Sequence, residues 1–195
     1  MDSTSRVRVY MACSFDGAIA GPDHDLSFLD GHATTPSDAL GFDDFLGQVG
    51  AMLMGRATYD IVTAMGVWPY GDLPVLIATR RPLEPVAPSV RAVQGSIETL
   101  IAHARLEAGN RDIYLDGGNL VQQALSAGLV DELCITLVPI VLGKGAIRLW
   151  SADAGPMAFE FVDQRRMGDL LQVTLRPKSP PQDKISGTPA TANNP

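Results

Sequence analysis

Residues 112–128 read Asp-Ile-Tyr-Leu-Asp-Gly-Gly-Asn-Leu-Val-Gln-Gln-Ala-Leu-Ser-Ala-Gly. Asp112 to Leu115 is a buried strand. Asp116-Gly117-Gly118-Asn119 turns it into a helix, and Gly128 ends that helix in the left-handed conformation that glycine adopts without a Cβ penalty. A second junction of the same kind lies upstream. Ala51-Met52-Leu53-Met54 is a short apolar strand closed by Gly55, and Arg56 to Ala64 is helical. Outward from these two units, Arg6 to Phe15, Pro74 to Ala78 and Val90 to Val93 read as strands. Ser37 caps a helix to Gln48 with a stripe of Leu40, Phe42, Phe45, Leu46 and Val49. Ser96 caps another to about Ala108, with Ile97, Leu100, Ile101, Ala104 and Leu106 as its apolar set. Strands that alternate with helices and are apolar on both faces imply an α/β fold with a central, mostly parallel β-sheet flanked by helices.

The end of the chain reads differently. Glu132 to Leu142 is β-branched, and Pro139 within it implies an edge or a bulge. Phe159 to Arg166 and Asp169 to Leu175 form a C-terminal antiparallel hairpin around Met167-Gly168. Gly21 to Pro36 is a long loop of the kind that is usually functional. One domain, residues 1–176, is followed by a Pro-rich polar tail, 177–195, with too few apolar side chains to bury itself.

The 195 residues are 46% apolar and 19% charged, enough for a core, and the net charge is −7. That charge argues against nucleic acid as a partner, because such surfaces need clustered Lys and Arg. No apolar run reaches membrane-spanning length. The polar N-terminus lacks the apolar region of a signal peptide. Cys13 and Cys134 sit in apolar runs, which implies two buried, reduced thiols and a cytoplasmic protein with no metal site.

The two glycine junctions suit an anionic ligand. Helix N-termini present unpaired N–H groups and a partial positive charge, and Arg56 and Thr58 add donors at one of them. Neither junction fits G-x-G-x-x-G, so a Rossmann fold is not indicated. Thr79-Arg80-Arg81 follows the strand 74–78. Paired arginines suit a phosphate monoester such as the 2′-phosphate of NADP.

The order Ser14-Phe15-Asp16-Gly17-Ala18-Ile19-Ala20, Met54-Gly55-Arg56-Ala57-Thr58-Tyr59, Thr79-Arg80-Arg81 and Tyr114-Leu115-Asp116-Gly117-Gly118 resembles the dihydrofolate reductase superfamily. Gly117-Gly118-Asn119-Leu120, Gly128-Leu129-Val130-Asp131-Glu132-Leu133 and Val138-Pro139-Ile140-Val141-Leu142-Gly143-Lys144-Gly145 resemble the reductase domain of the riboflavin biosynthesis protein RibD, over about Val7 to Leu175. The resemblance implies an NADPH-dependent reductase that moves a hydride to a small pterin- or pyrimidine-type heterocycle. It implies Ala12 and Ile19 beside the nicotinamide, and Gly55, Arg56 and Thr58 at the pyrophosphate. Thr79, Arg80 and Arg81 fall at the 2′-phosphate. Gly117, Gly118, Asn119 and Leu120 form the glycine-rich turn over the cofactor. The phosphoribosyl substrate is not implied, since Tyr10 and Gly55 to Tyr59 depart from the RibD pattern.

Reduction of a C=N bond needs a proton with the hydride. Asp16 is the ionisable residue nearest the expected nicotinamide, with Ser14 placed to orient substrate. Asp38, Asp43 and Asp44 are the alternative acids. No chemistry is assigned to His24, His32 or His103. Trp68 and Tyr70 either wall the substrate pocket or pack. The resemblance also implies a homodimer through the C-terminal strands. Two other readings stay open: a true dihydrofolate reductase and a non-catalytic NADP(H)-binding protein.

Overall fold

The computed structural model describes residues 5–32, 40–150 and 155–178. Its strands are β1 (Val7–Ser14), β2 (Ala18–Ala20), β3 (Val49–Gly55), β4 (Val75–Ala78), β5 (Val90–Val93), β6 (Asp112–Asp116), β7 (Glu132–Val138), β8 (Ile147–Arg148), β9 (Phe159–Met167) and β10 (Leu170–Pro177). Its α-helices are α1 (Phe42–Leu46), α2 (Arg56–Ala64), α3 (Ile97–Ala108) and α4 (Gly118–Ser126). Eight strands form one sheet in the order β5-β4-β3-β6-β1-β7-β10-β9. Every pairing from β5 to β7 is parallel. The two at the β10 and β9 end are antiparallel. No helix among the described residues is long and apolar enough to cross a membrane.

The period of two along each strand builds both faces. Ala51, Leu53, Leu76, Ile113 and Leu115 point to the side covered by α3 and α4. Met52, Met54, Ile77 and Tyr114 point to the other, against Phe45 of α1 and Tyr59 of α2. A parallel sheet needs both faces covered, which is why these strands are apolar throughout. Ser96 Oγ accepts from Thr99 N at 3.4 Å and opens α3. Gly128, at φ +66°, closes the turn after α4. Cys13 and Cys134 are buried free thiols, as expected.

Several expectations change. The helix around Phe45 begins only after Gly41, whose φ of +74° breaks any longer helix, and Val49 belongs to β3; Ser37 lies outside the described residues. Leu106 is 80% exposed and faces solvent on α3. Pro139 marks neither an edge nor a bulge. It follows the last residue of β7, a strand paired on both sides, and ends it because it has no N–H to donate. The loop from Gly21 contains 3₁₀ turns at Pro22–His24 and Ser27–His32. It is preceded by β2, which pairs antiparallel with β8 in a small second sheet. β10 runs through Pro177, and Lys178 N bonds to Ala158 O. The remainder of the tail lies outside the described residues.

Candidate active site

The strands β3, β4 and β6 run parallel, so their carboxyl ends share one edge, and α2 and α4 start there. The two glycine junctions touch at that edge. A Cβ on Gly55 would lie 3.7 Å from Gly117 Cα. Gly117 has φ +103°, and a Cβ there would come within 3.1 Å of Gly55 N and 3.2 Å of Thr58 Oγ1. A Cβ on Gly118 would meet Ile19 Cδ1 at 2.5 Å. Neither α2 nor α4 has a side-chain N-cap. Their first-turn N–H groups therefore lack partners within the helix, and both helix dipoles present their positive ends to the same space. That space is a cleft of about 710 Å³.

Most residues expected to hold a cofactor line this cleft: Ala12, Ile19, Gly55, Arg56 and Thr58, and the run Gly117, Gly118, Asn119 and Leu120. Thr79, Arg80 and Arg81 do not line it; they follow β4 just outside. Thr79 Oγ1 accepts from Arg81 N at 3.0 Å. The Arg81 guanidinium pairs with Asp60 at 3.0 Å, and the other oxygen of Asp60 accepts from Arg56 Nε at 2.7 Å. Asp60 thus ties the arginine of the cleft to the arginine of the β4 end. Arg80 is exposed beside them.

Asp16 and Ser14 are not cleft residues. Ser14 is fully buried, donates to Asp16 at 2.6 Å, and accepts from Ala18 N at 2.9 Å. Asp16 also accepts from Leu142 N at 3.1 Å and Gly143 N at 3.0 Å, and pairs with Arg148 at 2.9 Å. The Ser14 hydroxyl, the two N–H groups and the guanidinium hold this carboxyl well below the usual carboxylate range. A carboxylate so saturated has no proton to give near neutral pH. This corrects the expectation of an acid at Asp16: it ties the turn after β1 to the 142–143 loop and to β8. Asp43 and Asp44 are exposed on α1, away from the cleft, and Asp38 lies outside the described residues. Trp68 packs edge-on against Tyr70 and Tyr59, at 5.0 and 6.0 Å between ring centroids, and neither Trp68 nor Tyr70 lines the cleft.

A carboxyl not expected from the sequence to line the cleft is that of Asp116. It lines the cleft at the last position of β6. Its Oδ1 accepts from Gly117 N at 2.7 Å, and its Oδ2 lies 3.3 Å from Tyr114 Oη. Burial pushes its carboxyl up to about 6, against the opposing pull of the Gly117 N–H. Tyr114 Oη also lies 2.8 Å from the Tyr10 carbonyl oxygen, the nearer acceptor for its single proton. Where the hydroxyl turns to Asp116 Oδ2 instead, it donates there and, like the Gly117 N–H, opposes the rise. The signal in the sequence was an acidic residue closing an apolar strand directly before a glycine pair. His24 lines the cleft as well, on the exposed turn after β2.

Comparison with known proteins agrees with this architecture. The RibD C-terminal domain model matches residues 5–173. The uncharacterized protein YwjB of Bacillus subtilis strain 168 is 30% identical over 138 residues, which is 70% of this chain and 78% of YwjB. A Shewanella sp. PV-4 protein named for riboflavin biosynthesis is 28% identical, with a TM-score of 0.77 over 89% of this chain and 99% of its own. A Thermotoga maritima diaminohydroxyphosphoribosylaminopyrimidine deaminase/5-amino-6-(5-phosphoribosylamino)uracil reductase shares the fold at 15% identity and a TM-score of 0.66, over 90% of this chain and 57% of that longer one. The parallel sheet with its antiparallel end, the paired glycine junctions and a family model that matches from before β1 into β10 lead to one conclusion: this chain belongs to the RibD C-terminal domain family.

Proposed function

We propose that the protein is an NADPH-dependent reductase that reduces a C=N bond in a small pterin- or pyrimidine-type heterocycle. The observation that carries this reading is the abutment of two uncapped helix N-termini, through Gly55 and Gly117, beside the Asp116 carboxyl that lines the same cleft. The junctions fit a pyrophosphate, because the lack of a Cβ at Gly117 and Gly118 lets both helix starts close on Gly55, Thr58 and Ile19, where added side chains would collide. Arg56 and the first-turn N–H groups of α2 and α4 would hold that group. Arg80 would face the 2′-phosphate, with Arg81 kept in place by Asp60. Ala12 and Ile19 would flank the nicotinamide. When bound, NADPH supplies the hydride. Asp116 supplies the proton from Oδ2, the oxygen that the Gly117 N–H leaves free.

A titration followed by nicotinamide fluorescence tests the reading. NADPH is expected to bind more tightly than NADH. Replacing Arg80 and Arg81 together by Ala removes charge-assisted bonds worth roughly 1.5–3 kcal/mol each, not additively. NADPH affinity should fall tenfold or more, with NADH affinity nearly unchanged. Equal losses for the two cofactors would rule out a 2′-phosphate site there. Turnover is then sought on a panel of dihydropterins and aminopyrimidines at saturating NADPH.

We also infer a homodimer. Among the described residues β9 leaves one sheet edge unpaired, and Phe161 and Val162 on it are 72% and 42% exposed. A long unpaired edge with exposed apolar side chains invites pairing with another chain. Sedimentation at tens of micromolar should show two chains. A monomer at that concentration would refute the inference.

A further inference from the structure

The link between β4 and β5, residues 79–89, carries Arg80 and Arg81 and has no helix or strand of its own. Its ends are tied to the sheet: Thr79 N donates to Val93 O at 3.1 Å, and Val75 N donates to Ser89 O at 2.9 Å. Between the ends Pro82, Pro85 and Pro88 restrict the backbone, and Leu83 and Ala87 pack on the cluster that contains Tyr59. The polar part of the hold comes from one helix. Arg56, Tyr59 and Asp60 are three and four residues apart and so share a face of α2. Arg56 donates to the Pro82 carbonyl at 2.8 Å. Tyr59 Oη donates to the Glu84 carbonyl at 2.6 Å and accepts from Val86 N at 3.2 Å. Asp60 accepts from Arg56 Nε at 2.7 Å through one oxygen and from Arg81 at 3.0 Å through the other.

These bonds do little for the stability of the whole chain. The Asp60 and Arg81 side chains are 43% and 65% exposed, and an ion pair so open to water adds little to folding. What the bonds do is fix geometry. The Tyr59 ring is buried, so its hydroxyl reaches the loop from a rigid base. Arg81 is held by Asp60, which leaves exposed Arg80 as the loop's arginine with no carboxylate partner among the described residues. The helix that grips the loop is also the one whose uncapped first turn lines the cleft. A ligand anchored by an anion at the start of α2 therefore meets Arg80 on a loop already set against that same helix. A loop without this hold would have to be ordered on binding, at a cost to affinity.

Resting on the reductase reading above, we propose that Tyr59 and Asp60 are positioning residues for cofactor choice: from one face of α2 they hold the 79–86 loop so that Arg80 meets the 2′-phosphate of a cofactor whose pyrophosphate sits at the start of the same helix. Neither residue touches the phosphate. NADH lacks that group, so the hold contributes to NADPH binding and not to NADH binding. The preference between the two cofactors then depends on hydrogen bonds made behind the site as well as on the arginine within it.

The test titrates the full-length chain with NADPH and with NADH, followed by nicotinamide fluorescence, for the unaltered protein, Tyr59→Phe and Asp60→Asn. Thermal melts accompany each titration. The unaltered protein should prefer NADPH. Tyr59→Phe changes no charge and keeps the ring in the core, but removes both loop bonds of the hydroxyl. The ratio of NADPH to NADH affinity should fall about fivefold or more, with NADH affinity nearly unchanged. Asp60→Asn removes a negative charge, which by itself would favour a phosphate, so a fall in the ratio there comes from lost position. A fall of about threefold or more is expected. General destabilisation lowers binding of both cofactors together and leaves the ratio as it was. An unchanged ratio in Tyr59→Phe overturns the proposal, as does an unchanged or raised ratio in Asp60→Asn. Should Tyr59→Phe fail to fold, Asp60→Asn decides alone, at a position open to solvent. Equal affinity of the unaltered protein for the two cofactors overturns the proposal and leaves a reductase that accepts either. Failure of both cofactors to bind overturns the reductase reading, and the proposal with it.

Discussion

Asp116→Asn is expected to lower turnover at least a hundredfold while NADPH still binds. A positioned general acid contributes about 10²–10⁴ in rate, and the amide cannot supply a proton. It can keep the local geometry: its oxygen accepts from Gly117 N, and its nitrogen donates to Tyr114 Oη, which already gives its own proton to Tyr10. The pH dependence gives a second readout. The carboxyl is raised by burial to about 6, so the unaltered enzyme should lose rate as pH rises through that value, and the variant should show no such step. The effect on stability has the same direction. A group whose folded pKa lies above its unfolded one favours the folded state while protonated. Its contribution is therefore full below about pH 4 and is lost as pH rises through about 6. Asp116→Asn removes that loss, which is at most about 3 kcal/mol for a carboxyl partly open to the cleft. Thermal melts at pH 5 and pH 8 should differ less for the variant than for the parent. Near-normal turnover with an unchanged pH profile would remove Asp116 from the chemistry.

Gly118→Val should weaken NADPH binding at least a hundredfold and leave most of the fold intact. Its Cβ would meet the end of a flexible side chain, Ile19 Cδ1 at 2.5 Å, so Ile19 can move. In moving it enters the place where the nicotinamide is expected, while the added methyl groups crowd the first turn of α4. Gly117→Ala acts differently. Its φ of +103° and the approach to Gly55 N at 3.1 Å set backbone against backbone. The strain costs about 1–3 kcal/mol, seen as a fall of several degrees in Tm together with lost affinity. Fluorescence titration and calorimetric melts separate the two. Full NADPH affinity in both variants would show that the glycine junctions are turn chemistry alone.

The sequence alone carries the regular elements of the sheet body. Arg56–Ala64 was legible to the residue, because a buried strand, a glycine and an amphipathic turn are local signals that act within a few residues. The same holds for Val90–Val93 and for the α3 that Ser96 caps. It also determined that two helices begin at glycine junctions after strands, and so where an anion could sit. The surroundings of the two aspartates depend on the assembled fold. Asp16 and Asp116 look alike in the sequence, each an aspartate before a glycine at a strand end. Asp16 is met by N–H groups of Leu142 and Gly143 and by Arg148, all distant in sequence, and becomes a fixed anion. Asp116 lines the cleft with one N–H and a phenol beside it, and burial pushes its carboxyl up to about 6. The pairing of β2 with β8 was illegible for a related reason: strands of three and two residues carry no periodicity and exist only by finding each other. Propensity and periodicity act between neighbours along the chain, whereas desolvation and ion pairing depend on groups that only the completed fold brings together.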